Sequence, residues 1–281
     1  MTDRRSLLKL GVAAAAASPF ARLTAAQAEG IDRPADPWRG LKIGVASYTF
    51  NKFPVEQAIK GIQKVGLKYV SIKESHLPLK STADERKAVG QKFRDAGITP
   101  LSCGVVYLPK DEAGIRNAFE YTRDLGVPTM VCSFEPDVLP LLEPYVKEFN
   151  IRLAIHNHGP GDKNFPTPDD VFKAVSSHDE RIGLCIDVGH TLRAGVDPAA
   201  AIRACKSRLY DMHLKDVNQA AAKGSPVEGG RGVLDLKSVF KALLDIKYPY
   251  QAEFEYEKDQ ADPLAGLAET VGYCKGLMAG L

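Results

Sequence analysis

Cysteine contributes little to the organisation of this sequence. Its five cysteines (Cys103, Cys132, Cys185, Cys205 and Cys274) are dispersed, odd in number and never spaced Cys-x-x-Cys, so no disulfide framework follows. Cys103, Cys132 and Cys185 lie inside apolar runs, where a buried free thiol is expected. Net charge is also scarce: 37 basic against 35 acidic side chains leave +2 over 281 residues. Such a chain has no electrostatic footprint for a phosphate backbone, and nucleic acid is not expected as a partner. No apolar run reaches the roughly 20 residues that span a bilayer as a helix. The first strand-like run is not followed by Gly-x-Gly-x-x-Gly, which counts against an open dinucleotide-binding sheet. No internal repeat, low-complexity tract or domain linker interrupts the chain.

The opening residues do not read as part of a fold. Arg4 and Arg5 precede a short apolar run, Leu7 to Ala17, and a small-residue exit, Ala26-Gln27-Ala28. That is the form of an export signal over residues 1–28, and the Arg-Arg-x-apolar-apolar-Lys pattern from Arg4 to Lys9 points to the twin-arginine route. The expected location is the periplasm, and the mature chain, residues 29–281, is expected to carry no membrane span. The twin-arginine route carries folded proteins, often with a metal or cofactor already seated, so export agrees with a metal site. Removal of residues 1–28 takes away Arg4, Arg5, Lys9 and Arg22 against Asp3, and the remainder is near neutral.

After residue 40, short runs rich in Val, Ile and Leu alternate with longer segments of helical period. The strand candidates span 41–50, 68–74, 99–108, 128–134, 151–158, 182–190, 209–217 and 250–257. Amphipathic stretches such as VEQAIKGIQKVG, ADERKAVGQKFRDAG, VLPLLEPYVKEF and LKSVFKALLDIK lie between them, and Gly66, Gly97 and Gly126 stand where helix C-caps belong. Eight strands separated by helices predict the α/β class, as a single (β/α)8 TIM barrel over 29–281.

A barrel of this kind does its chemistry at the C-terminal ends of its strands. Five of the six histidines (His76, His156, His158, His190 and His213) fall at or just past such an end. His178 does not, and reads as a surface residue. Strand 5 ends in His156 and His158, strand 6 in Asp187 and His190, strand 7 in His213, and strand 8 in Glu255 and Glu257. Singly, each has an ordinary reading: a turn for Asp187, a hydrogen-bonded core histidine for His213, a solvated carboxylate for Glu257. Together they load four consecutive strand ends with metal-type donors. Mixed imidazole and carboxylate ligands suit Mn, Co, Zn or Fe(II) better than Ca.

The segments CIDVGH, DMHLKD and VEGGRGVLDLKSVFKALLDIKYPYQAEFEYE, with strand 5 before them, resemble the xylose-isomerase-like barrel superfamily of sugar phosphate isomerases and epimerases. The likeness runs from about residue 42 to the C-terminus and is strongest over 151–257. It implies one divalent metal ion held by a strand-5 glutamate, Asp187, His213 and Glu255, with His190 as a substrate contact. The departure is in strand 5, where the epimerases read Glu-x-x-Asn and this chain reads His156-Asn157-His158. The registers place His156 on the glutamate, as a ligand but not as a carboxylate base, and leave His158 for the proton chemistry.

The resemblance implies a keto sugar or glycoside as substrate, deprotonated beside its carbonyl to a metal-stabilised enediolate. His158 or Glu255 is the candidate base, with His76 or His190 as partner. Lys73 either pairs with a carboxylate inside the barrel or joins the chemistry. Lys215 either anchors a substrate oxygen or bridges to Asp187. Arg231, within the glycine-rich EGGRGVLD, is the candidate grip on the distal end of the substrate. Alternation on a strand would turn Lys73 and Glu74 to opposite faces. Sugar isomerase or epimerase is the leading reading, and a 3-keto-glycoside lyase acting by β-elimination is the alternative. An apurinic-type nuclease would need more ligands, including a histidine and a glutamate on strands 2 to 4, and the ends of strands 3 and 4 (VVYL and CSFEP) offer only Glu135. A non-catalytic sugar-binding barrel need not keep four ligands. Association into a homo-oligomer is left open.

Overall fold

A computed structural model describes residues 36–281, and residues 1–35, with the expected export signal, lie outside the described part. Eight parallel strands close a barrel: β1 (Lys42–Ala46), β2 (Tyr69–Ile72), β3 (Thr99–Tyr107), β4 (Thr129–Ser133), β5 (Arg152–His156), β6 (Ile182–Asp187), β7 (Leu209–Leu214) and β8 (Gln251–Phe254). Each strand pairs with its neighbours in sequence, and β1 closes on β8 with Ile43 opposite Ala252. The expected barrel is therefore the observed one. Parallel strands covered by helices are buried on both faces, which is why they read as nearly continuous apolar runs.

The outer layer holds α1 (Val55–Lys64), α2 (Ala83–Asp95), α3 (Glu112–Leu125), α4 (Leu139–Phe149), α5 (Pro168–Val175), α6 (Val188–Arg193), α7 (Pro198–Ala204), α8 (Leu236–Asp245) and α9 (Pro263–Ala279). Their ends are set locally. Thr82 and Glu85 form a reciprocal capping box at α2, as Thr167 and Asp170 do at α5. Gly66, Gly97 and Gly126 leave α1, α2 and α3 with φ of 71°, 75° and 74°, a left-handed turn that a side chain would strain. Among the described residues, no helix is long and apolar enough to cross a membrane.

The strands are shorter than the apolar runs that announce them. β1 gives way to a 3-10 turn at Ser47–Phe50, β6 to α6 after Asp187, and β7 to a two-residue hairpin pairing Asp216–Val217 with Pro226–Val227. Each break falls where a polar side chain must leave the strand and reach the mouth. His178, at the opposite end, bonds Glu143 at 2.9 Å.

The main core lies between strands and helices, with Phe93, Phe119, Tyr121 and Phe240 fully buried there. Trp38 covers the β1–β8 seam, its ring 6.2 Å from Phe240 and 6.0 Å from Phe254. The barrel interior is divided. Val131, Ala154 and Cys185 form a small apolar wall, whereas Asp211, His213, Glu253 and Lys73 make a buried polar column opposite. All five cysteines are buried and free, as the sequence implied for Cys103, Cys132 and Cys185. Replacement of Phe240 by alanine should cost about 3–5 kcal/mol, read by urea unfolding; a loss below about 1 kcal/mol would place the seam outside the cooperative core.

Candidate metal centre and active site

Four strand ends carry His156, Asp187, His213 and Glu255 to one point. One donor atom from each lies within 4.8 Å of the others, and all four residues are buried. His156 Nε2 stands 2.9 Å from His213 Nδ1 and 3.6 Å from Asp187 Oδ2, and Glu255 Oε2 is 3.2 Å from His213 Nδ1. Ligands about 2.1 Å from a tetrahedral ion lie about 3.4 Å from one another, so the spacing suits a single metal.

Two further observations test that fit. Asp187 Oδ1 accepts the His190 N–H at 2.8 Å and caps α6, whereas Oδ2 is buried without a hydrogen bond, faced by the Lys215 ammonium at 3.2 Å and by His156 Nε2. The charge count points the same way. Three buried carboxylates, Asp187, Glu253 and Glu255, face only Lys73 and Lys215 as permanent cations, with Glu257 adding a further acid at the cavity edge. Burial works against a charged His213, but Cys185 and Glu255 beside it hold its pKa well above the usual imidazole value. Asp211 adds nothing to this sum, because burial and the Glu253 carboxylate raise its pKa well above the usual range. So acid-rich a buried cluster favours a bound cation. Cys185 also lies within reach of His156 and His213, but burial pushes its thiol up to about 12, so it offers no thiolate.

The surrounding groups hold these donors in place. His213 Nε2 meets Glu253 Oε1 at 2.9 Å, the carboxylate–histidine arrangement that orients a metal-binding imidazole. Asn157, fully buried, accepts the Asp187 N–H through Oδ1 at 3.0 Å and donates to Thr191 Oγ1 at 3.2 Å, tying the end of β5 to that of β6. Lys215 Nζ lies 3.2 Å from Asp187, 2.9 Å from Glu255 and 3.0 Å from Glu257. Burial works against its ammonium, but these carboxylates outweigh that and hold its pKa well above the ordinary lysine value. The same opposition resolves the other way for Asp187 and Glu255: burial favours the neutral acid, but Lys215 and the neighbouring histidines keep both well below the usual carboxylate range.

Above the quartet opens a cavity of about 430 Å³, bordered by Tyr48, Lys73, Tyr107, His158, His190, Lys215 and Glu257 among others. Besides His156 of the quartet, two histidines face it, and they are poised differently. His190 Nδ1 is 3.1 Å from Arg193 Nη1, a group that can only donate, so the neutral ring keeps its proton on Nε2. Burial pushes the His190 pKa down to about 4, and the ring presents Nε2–H as a donor. His158 Nδ1 faces Asp162 Oδ2 at 3.3 Å, which draws the proton to Nδ1 and leaves Nε2 with a free lone pair. Burial lowers its pKa too, with Asp162 acting against that.

A family model described as a xylose isomerase-like TIM barrel matches residues 59–277. The chain belongs to that family. It is 29% identical over 137 residues to an inosose dehydratase of Clostridium tetani, a match covering 42% of this chain and 45% of the relative. The matched stretches span less than half the length of the curated relatives. A 3-keto-D-glucoside 4-epimerase from E. coli superimposes with a TM-score of 0.69 at 15% identity, covering 84% of this chain and 99% of that one. An IolI protein with a bound zinc atom also gives 0.69, at 18% identity, covering 84% and 98%. At those identities the structures establish the shared fold.

Within this xylose isomerase-like barrel, three expectations need correction. Arg231 is not brought to the mouth. It is exposed and bidentate to Glu269 on α9, with Nη2 to Oε2 at 2.8 Å. The glycines around it serve Asp216 instead, whose carboxylate accepts the N–H groups of Gly230 at 2.9 Å, Gly232 at 3.0 Å and Leu234 at 3.1 Å. A Cβ on Gly232 would lie 2.1 Å from Asp216 Oδ1, so the glycine permits this knot rather than a ligand grip. His76 is not over the mouth. It is buried behind the cavity wall, its Nδ1 3.0 Å from Ser47 Oγ and 3.2 Å from Ser75 Oγ. Lys73 and Glu74 do not face apart: β2 ends at Ile72, strand alternation ends with it, and both border the cavity.

Lys73 and Lys215 both form the ion pairs that were one of the two alternatives open to each, and both also border the cavity. The structure gathers His156, Asp187, His213 and Glu255 into the quartet, and sets His158 and His190 around the cavity. Glu253, Asn157, Tyr48 and Tyr107 escape sequence reading. For Glu253 a signal was present: Glu253, Glu255 and Glu257 recur at every second residue through the end of the last strand and just past it. Asp187→Asn and His213→Ala should each weaken zinc binding by more than about 100-fold, and Glu253→Gln by about 10–100-fold, measured by competitive chelator titration. Arg231→Ala should leave zinc affinity and turnover within about twofold, as expected for an exposed pair; unchanged zinc affinity in Asp187→Asn would show the quartet to be misassigned.

Proposed function

We propose that the protein is a divalent-metal-dependent enzyme that removes the proton beside the carbonyl of a keto sugar. The observation that carries this reading is the pair of imidazoles above the metal quartet, one with a free lone pair and one with a fixed N–H. His158 Nε2 takes the proton from carbon, and Asp162 steadies the imidazolium that results, as an oriented base requires. His190 Nε2–H donates to a substrate oxygen, its tautomer set by Arg193. When bound, the metal supplies Lewis acidity toward the negative charge that develops on the carbonyl oxygen. Lys215 adds a fixed positive charge bordering the cavity. Return of the proton to the same or the adjacent carbon makes the enzyme a sugar epimerase or isomerase.

A second reading, β-elimination from a 3-keto-glycoside, is favoured by one feature. His156 stands where the epimerase pattern has a second carboxylate base, so the two-carboxylate exchange of protons across both faces of the carbon is unavailable. A dehydratase among the relatives and a keto-glucoside epimerase among the structural neighbours both accord with deprotonation beside a carbonyl. Action in the periplasm after twin-arginine export belongs to the same proposal, and replacing Arg4 and Arg5 by lysine should retain the protein in the cytoplasm on fractionation.

The test is deuterium exchange into keto sugars followed by NMR. The zinc- or manganese-loaded protein should exchange the α-proton, and His158→Ala should slow exchange by about 10²–10⁴-fold with zinc still bound. Exchange without release of a leaving group identifies the epimerase or isomerase, and release identifies the lyase. Full exchange in His158→Ala would remove this residue from the role of base.

A further inference from the structure

Beyond the metal chamber lies a second cavity of about 470 Å³, reached past the ends of β3, β4 and β5. Tyr107 and His158 border both cavities, so the two lie side by side and share a wall. The chemistry of the second compartment differs from that of the first. It holds no lysine and no member of the quartet, and its lining combines apolar surface from Leu108 and Phe134 with polar groups from Ser133, Glu135 and Asn164. Phe134 is held edge-on by Phe165, with ring centroids 5.8 Å apart. Among the described residues, the side chains of Glu135 and Asn164 have no hydrogen-bond or ion-pair partner within the chain. Asn164 contributes only its backbone N–H, to Asp162 Oδ1 at 2.7 Å. Tyr107 stands 67% exposed with its ring nearly parallel to that of His158, the planes 25° apart. An exposed aromatic face at a boundary, followed by apolar floor and unpaired amide and carboxylate groups, matches a pyranose ring, which has apolar C–H faces and a hydroxylated rim.

We propose that the second compartment binds the aglycone ring of a two-ring substrate, so that the enzyme acts on keto-disaccharides or comparable glycosides rather than on free monosaccharides. The keto ring occupies the metal chamber, the second pyranose lies against Tyr107 and Phe134, and the glycosidic bond passes beside His158. This rests on the keto-sugar reading above, and holds for either outcome of the deprotonation.

Gly161 provides a test. It borders the second compartment and not the first, its φ is not in the left-handed region, and a Cβ there meets nothing within 4 Å. Gly161→Trp therefore adds bulk at the border of the compartment without a backbone clash. Binding of 3-keto-trehalose and of methyl 3-keto-α-glucoside to the zinc-loaded protein would be measured by calorimetry. The unchanged protein should bind the disaccharide more tightly, by roughly tenfold or more. Gly161→Trp should remove that advantage while leaving methyl glycoside affinity, zinc content and melting temperature as they were, and Asn164→Ala should remove part of it. Equal affinity for the two ligands in the unchanged protein, or an advantage that survives Gly161→Trp, overturns the compartment and leaves the keto-sugar chemistry standing. Failure of both ligands to bind overturns both.

Discussion

Charge buried inside a closed barrel has no solvent to answer it, and this molecule places an unusual amount there. Asp187, Glu253 and Glu255 are buried, with Glu257 at the cavity edge, and the two lysines among them are matched to carboxylates at 2.9–3.2 Å. Every one of these groups is tied to another. Lys215 joins β6 to the end of β8, Lys73 joins β2 to β8, and His213 stands between Glu253 and Glu255 with one ring nitrogen toward each. A column of this kind is stable only when complete, because removing one partner leaves a buried charge alone. The excess of buried carboxylates over lysines, beside two imidazoles, is the property that suits the barrel mouth to a divalent cation.

The precision of that arrangement comes from neutral hydrogen bonds on the backbone. Asp187 divides its oxygens, one spent on capping α6 and one left for coordination, and Asn157 holds its peptide from the neighbouring strand. Gly189 lets the start of α6 approach the Lys215 carbonyl, which a Cβ would meet at 2.8 Å. Asp216, the next residue, draws the glycine-rich loop back over the end of β7. Ligands placed on strand ends and supported in this way are more rigid than ligands on free loops. The imidazoles above them are set by their neighbours, Arg193 for His190 and Asp162 for His158, which separates a donor from an acceptor although both are histidines.

Much of the fold was legible because its signals are local. Apolar runs of strand length, amphipathic segments between them, capping residues and terminal glycines each report on a few neighbouring residues, and eight repetitions of the pattern leave little choice but closure. His156, Asp187, His213 and Glu255 were legible because parallel strands of one barrel bring their C-terminal ends together. Arg231 and His76 were misplaced for a common reason. Both sit in segments just beyond a strand, where sequence shows proximity to the mouth but not direction. Glu269 on α9, 38 residues further along the chain, turns Arg231 outward, and Ser47 from the turn after β1 draws His76 behind the wall.

By itself, then, the sequence determined the barrel and the strand ends that bear the donors, since periodicity and residue type suffice for these. Tertiary structure alone decided which charges answer one another, which histidine nitrogen carries the proton, and that a second compartment adjoins the first. Those properties depend on distances of a few ångströms between residues far apart in the chain, and no local pattern records them.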